Sequence, residues 1–231
     1  MLVPALGEGS IAPNVRLALA LLLTLVFYPL AQPLYALGGE LNLARVAQLL
    51  AMEFAVGFFI GLGTRMITYA LSVAGMIMAN QMGLASVLAT DPTLNGQQGA
   101  VLGSFLSLLA ITLIFSTDLH YLSIAAMNDS FRMFPPGGPL PVGDMAEMAT
   151  HLVADLFAIA MRLSAPFIVV GLVFYFGLGL LNKLMPQMQI FFIAMPVSIA
   201  LGIALLLVLI GTIMNWYLTH FAEQIGRYTG G

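Results

Sequence analysis

The stretch Gln81-Met-Gly-Leu-Ala-Ser-Val-Leu-Ala-Thr-Asp-Pro-Thr-Leu-Asn-Gly-Gln-Gln-Gly99 decides how this chain is read. It is a turn-rich run of Gly, Ser, Thr, Asn and Gln with a single charge, Asp91, set between two segments apolar enough to sit in lipid. Irregular backbone exposed to lipid leaves N–H and C=O groups without water, at several kcal/mol each. A loop of this kind survives only at the membrane surface, inside protein, or along a water-filled path. The last option makes it a functional candidate.

The composition around it fixes the class. Of 231 residues, 61% are hydrophobic and 7% charged, and the mean hydropathy is +1.02. A soluble domain carries about 25% charged residues. The chain is therefore an integral membrane protein of the all-α kind. A formal net charge of −3 offers no basic patch for nucleic acid. The absence of cysteine excludes disulfides, thiolate chemistry and Cys-ligated metals. No basic, short apolar, small-residue pattern of a cleaved signal opens the chain.

Outward from the loop, the segments can be placed in order. Leu17–Gly39 is an uncharged run long enough to span, kinked or ended near Pro29 and Pro33 because proline lacks the helical N–H. Residues from Leu41 to about Leu84 are apolar enough for one very long helix or for two joined near Thr64-Arg65, and the ordinary length of a span favours two. Gly57-x-x-x-Gly61 has the spacing that lets two membrane helices approach closely. After the polar loop come a helix over Ala100–Phe115, a break at Ser116–His120 and a less apolar helix over Tyr121–Phe134. Pro135-Pro-Gly-Gly-Pro-Leu-Pro141 is the clearest connector, since prolines and glycines exclude helix and sheet. A helix carrying Asp144, Glu147 and Asp155 near its start then runs through Arg162 and Pro166 to Leu181. A hairpin at Asn182–Pro186 leads to an uncharged return arm from Gln187 to about Phe221, interrupted by Pro196. The seven basic residues are scattered over the junctions, so the positive-inside rule gives little orientation.

Few residues could carry chemistry. Glu53 and Arg65 are the only charges between Val46 and Thr90, and charges at membrane depth face cavities, partners or the interfaces. Twelve residues of helix hold them roughly 18 Å apart, too far to pair. Asp91-Pro92 fits a turn start. Asp118 and His120 invite a metal or proton-relay reading, but no second His or acid stands at ligand spacing. Gly103-Ser104 with His120 or His151 could suggest an intramembrane serine protease, although Gly-Ser pairs are common at helix contacts. The motifs of zinc proteases, nucleophile elbows and phosphate loops are all missing. No cofactor or metal is expected. Met76, Met78 and Met82 precede the loop, and Met185, Met188 and Met195 surround the hairpin tip. Flexible thioethers suit either a deformable seal or plain packing.

Four ordered stretches carry a resemblance over almost the whole chain. They are Ile11-Ala-Pro-Asn-Val-Arg-Leu-Ala-Leu19; Ala74-Gly-Met-Ile-Met-Ala-Asn-Gln-Met-Gly83 with Asp91-Pro92; Asp118-Leu-His120 with Ser130-Phe131 and Pro135; and Gly179-Leu-Leu-Asn-Lys-Leu-Met-Pro-Gln-Met-Gln-Ile-Phe191 with Met195-Pro196. The chain resembles the FliR-type flagellar export-gate proteins, whose injectisome counterparts are of the SctT type. The resemblance implies stacked helical hairpins with kinked or broken apolar helices and a polar plug loop. Residues 1–134 would form a FliP-like part including the plug loop at 82–99, 135–143 a connector, and 144–231 a FliQ-like hairpin part. It implies a non-enzymatic subunit of an inner-membrane channel in the flagellar basal body. That channel would pass unfolded flagellar subunits, driven by the proton motive force and an ATPase elsewhere in the machine. Its partners would be FliP-type and FliQ-type subunits and an FlhB-type switch protein.

Onto this sequence the plug maps as Met82, Gly83, Ser86, Asp91, Pro92 and Asn95, and the hairpin tip as Lys183, Pro186 and Gln187. Family members usually have a further apolar helix ahead of the region where this sequence begins. Met76 stands where an acidic residue is common, and Gln189 where Asn is common. Two other classes stay open on the residues alone: a small proton-coupled secondary transporter with Glu53 as its coupling carboxylate, and the intramembrane enzyme built on Ser104.

Overall fold

A computed structural model describes residues 12–35, 42–84, 100–135, 142–185 and 190–226. Six α-helices and one 3₁₀ turn account for nearly all of them, and there is no strand among the described residues. The all-α expectation holds. Four helices are long and apolar enough to cross a membrane, and a bent pair makes a fifth candidate. The chain is a multi-pass membrane protein.

Helix α1 covers Pro13–Ala31. Pro13 takes the first helical position, where its missing N–H is no loss and its fixed φ suits the helix. The helix thus begins ahead of the apolar run at Leu17. It passes Pro29 and gives way to the 3₁₀ turn Gln32–Tyr35, which contains Pro33. Ala31 is its one buried residue, whereas Leu17, Leu21, Leu22, Leu25 and Val26 are exposed.

Helix α2 covers Leu43–Gln81 as one unbroken element of 39 residues. This corrects the expectation of two helices meeting at Thr64-Arg65. Thr64 is buried, and its hydroxyl donates back to the carbonyls of Ile60 and Gly61 at 3.2 and 3.0 Å. Its polar atom is therefore satisfied inside the turn it was expected to break. No proline interrupts the run. At 1.5 Å per residue α2 is roughly 58 Å long, about twice a hydrocarbon core of ~30 Å.

Helices α3 (Ala100–Ser116) and α4 (His120–Met133) are bent by 78° across the expected break. Asp118 makes the bend, with φ of 59°. Its N–H donates to the carbonyl of Phe115 at 3.3 Å, and its carbonyl accepts from the N–H of Tyr121 at 3.0 Å. Asp is one of the few side chains that tolerate this left-handed region.

Helix α5 (Val142–Leu184) runs through Pro166, and α6 (Ile190–Gly226) runs through Pro196. Pro196 does not interrupt the return arm, and Asn182 and Lys183 belong to the last turn of α5. The first of these helices thus extends to Leu184, beyond the Asn182 at which the hairpin was expected to begin.

The chain divides into two compact units by contact: residues 1–67, 111–154 and 219–231 in one, 68–110 and 155–218 in the other. The first unit buries Ile60, Ile67, Ile114, Ala126, Met145, Phe221 and Ile225. The second buries Leu71, Ala74, Met78, Leu106, Leu163, Phe167 and Tyr217. In the second unit the helices meet through small residues, as expected where lipid removes the hydrophobic drive for association. A Cβ on Gly103 would lie 2.6 Å from the carbonyl oxygen of Ser72, and one on Gly75 would strike the backbone of Gly103. Beside this crossing the hydroxyls of Ser72 and Ser107 share a hydrogen bond of 2.9 Å. Gly57 plays no such part: a Cβ there meets open space. A close approach of this kind is made at Gly75 and Gly103.

Candidate functional site

The site is built where α2 stops. Its last residue, Gln81, is followed by a turn in which Met82 N–H donates to the carbonyl of Met78 at 2.9 Å and Gly83 N–H to that of Asn80 at 3.1 Å. Gly83 has φ of +73°, a conformation that side chains with a Cβ rarely adopt. This is a glycine stop of the kind that commonly ends helices. It ends α2 just ahead of Leu84, the last described residue before the polar run.

The turn is held in the second unit by α5 and α6. Met82 is 3% exposed, and a Cβ on Gly202 would lie 2.9 Å from its Cβ and would overlap its Cγ. Gln81 lies over Gly171, whose absent Cβ would be 2.5 Å from the amide oxygen Oε1. The position of a Cβ on Gly83 is 3.0 Å from Ser198 Oγ and 3.7 Å from the Tyr175 hydroxyl. Phe167, Val170, Phe174, Leu201 and Leu205 complete an apolar crevice around Gln81 and Met82. About 10 Å³ is left there, room for on the order of one water. The arrangement is a packed socket rather than a ligand pocket.

Of the six residues expected to form a plug, Met82 and Gly83 are among the described residues. Ser86, Asp91, Pro92 and Asn95 lie outside the described residues, as do Pro186 and Gln187 of the hairpin tip and Met188. Lys183 is exposed on the last turn of α5. Met78, like Met82, is buried, whereas Met76, Met185 and Met195 are exposed. The methionines therefore do not act as one class.

The intramembrane charges have separate settings. Glu53 is half-buried on α2. Arg65 is half-buried and has contacts of its own.

Among the described residues, no three of His, Asp and Glu come together to hold a metal ion. Asp118 is the bend residue, and the ring of His120 packs on Phe115 and Tyr121 with centroids 5.0 and 4.2 Å away. Ser104 is exposed on α3, while Gly103 beside it makes the helix crossing. His151 sits 3.7 Å from Glu147 one turn away on α5, both well exposed.

Gly171, Gly202, Ser198 and Tyr175 were missed in the sequence. A signal was present: a glycine inside a helix costs about 1 kcal/mol against alanine and usually has a packing reason. Many glycines share that signal here, and only the fold separates Gly202 from Gly211, around which a Cβ meets nothing.

Comparison with known proteins bears on the whole chain. Residues 1–224 match the family described as bacterial export proteins, family 1. The flagellar biosynthetic protein FliR of Caulobacter vibrioides is 39% identical over 99% of this chain and 90% of its own length. FliR of Escherichia coli is 29% identical over 95% of this chain and 83% of its own length. The Yop proteins translocation protein T of Yersinia pestis is 26% identical over 73% of this chain and 65% of its own length.

Proposed function

The chain belongs to family 1 of the bacterial export proteins, and from that premise we propose that it is a channel-forming subunit of a flagellar-type protein export gate. The observation that carries the reading is the near full-length match to a flagellar FliR. The gate sits in the bacterial inner membrane, in the flagellar basal body. It passes unfolded flagellar subunits and is assembled with FliP-type and FliQ-type subunits beside an FlhB-type switch protein. The flagellar reading is favoured over an injectisome subunit by the higher identity and coverage of the FliR relatives.

The physical features suit such a subunit. Helices α2, α5 and α6 are far longer than a bilayer requires. Apolar side chains along α1 and α5, such as Leu25, Leu172 and Phe176, are left uncovered by this chain. Lipid or partner helices complete such surfaces. The polar run after Gly83 is the plug, a segment whose short side chains yield to an extended polypeptide at small cost while Met and Leu exclude ions at rest. The chain acts mechanically and not as an enzyme.

Two experiments test this. The tagged chain should co-purify with FliP-type and FliQ-type subunits from its own host; isolation as a lone, stable chain would sink the assembly. Deleting Ala89–Gly96 should raise ion leakage through the assembled gate, and unchanged leakage would remove the plug role.

A further inference from the structure

We propose that Gly202, with Gly171 beside it, is a seat that fixes the end of α2 at Gln81 and Met82. The proposal rests on the plug reading only for its consequence in gating; the seat itself rests on packing. Met82 is buried against α6 at a position where even a methyl group does not fit. The conflict at Gly202 involves Met82 Cβ at 2.9 Å, an atom that cannot move away without the backbone. At Gly171 the nearest atom is the far end of Gln81, which a rotamer change can withdraw, and Gln81 Cβ follows at 3.3 Å.

The two glycines therefore differ in strictness. Alanine at Gly202 must push the α2 terminus off α6, whereas alanine at Gly171 must only turn an amide. Ser198, within 3.0 Å of where a Gly83 Cβ would stand, closes the third side. The left-handed Gly83 and the seat act together: one stops the helix, and the other holds its end. Gly202 and Gly171 are positioning residues for Met82 and Gln81. Alanine at Gly177 on α5 meets nothing within 4 Å and is the matched control.

The chain lacks cysteine, so a thiol at position 82 reports the seat without background. Met82→Cys is introduced in the full chain in its native strain, and labelling by a small membrane-permeant maleimide is timed. Labelling should be slow with Gly202 and Gly171 intact, and Gly177→Ala should leave it unchanged. Gly202→Ala should speed it about tenfold, since an overpacked contact costs on the order of 1.4 kcal/mol, a factor of ten. Gly171→Ala should give a smaller rise. Equal labelling in Gly202→Ala and Gly177→Ala overturns the seat. Should Gly202→Ala fail to accumulate, Gly171→Ala decides, and no rise there overturns the proposal equally. Ion leakage is read in parallel, with Met82 restored. If deletion of Ala89–Gly96 leaks while Gly202→Ala remains tight, the plug stands and the seat does not control it. If labelling rises as expected but the deletion does not leak, the seat stands and the plug reading falls.

Discussion

Gly103 shows what a single hydrogen atom in place of a methyl group achieves in this chain. Its Cα faces the Ser72 backbone so closely that a Cβ would stand 2.6 Å from a carbonyl oxygen. Neither backbone can yield locally. Gly75→Ala and Gly103→Ala should each lower the thermal stability of the detergent-purified protein by about 1–3 kcal/mol, the usual cost of overpacking. Ser72→Ala should cost about 0.6 kcal/mol, because hydrogen bonds between membrane helices contribute little on average. Thermal unfolding of the three variants gives the order directly, and a serine variant worse than both glycine variants would contradict it. Asp118 carries a related lesson. From its neighbours in sequence it could have been a metal ligand or relay, yet its positive φ identifies it as the residue that turns the chain. A side chain that tolerates left-handed backbone and one that binds a metal are the same letter. Only the dihedral angle distinguishes them.

At the scale of the element, hydropathy found nearly every helix but mistook where some of them stop. Helix α2 is apolar on nearly all sides, so no change of pattern marks an end, and length arguments drawn from a single bilayer crossing divided it in two. Thr64 and Arg65 looked like a junction because they are polar, but a threonine that bonds its own preceding turn adds no break. Pro196 misled in the same way, since it lies inside a continuous helix, whereas the helix runs through Pro166 as expected. The break that was legible, at Ser116–His120, combines several turn-forming residues rather than one. The continuity of α2 can be measured. Single cysteines from Gly61 to Tyr69 should label with one unbroken helical period, slow at the buried Thr64, Ile67 and Thr68 and fast at the exposed Tyr69. A phase shift at 64–65, or uniform labelling on both sides of it, would restore the two-helix reading.

For the whole molecule, the class was plain from composition, and the family from four ordered stretches that no one motif could have carried. Which faces pack was not legible, since Leu, Ile and Phe occupy covered and uncovered positions alike: Leu71 is fully buried and Leu172 is 67% exposed. Small residues carried that information, but Gly57 and Gly202 look equivalent until the chain is folded. The chain leaves much apolar surface uncovered. We propose that the polar run after Gly83 closes a protein-conducting channel. Single-channel current through the purified gate assembly in a planar bilayer tests that claim most directly. The intact assembly should be silent at rest, and the same assembly with Ala89–Gly96 deleted should pass a steady ion current. Silence in both would contradict the account.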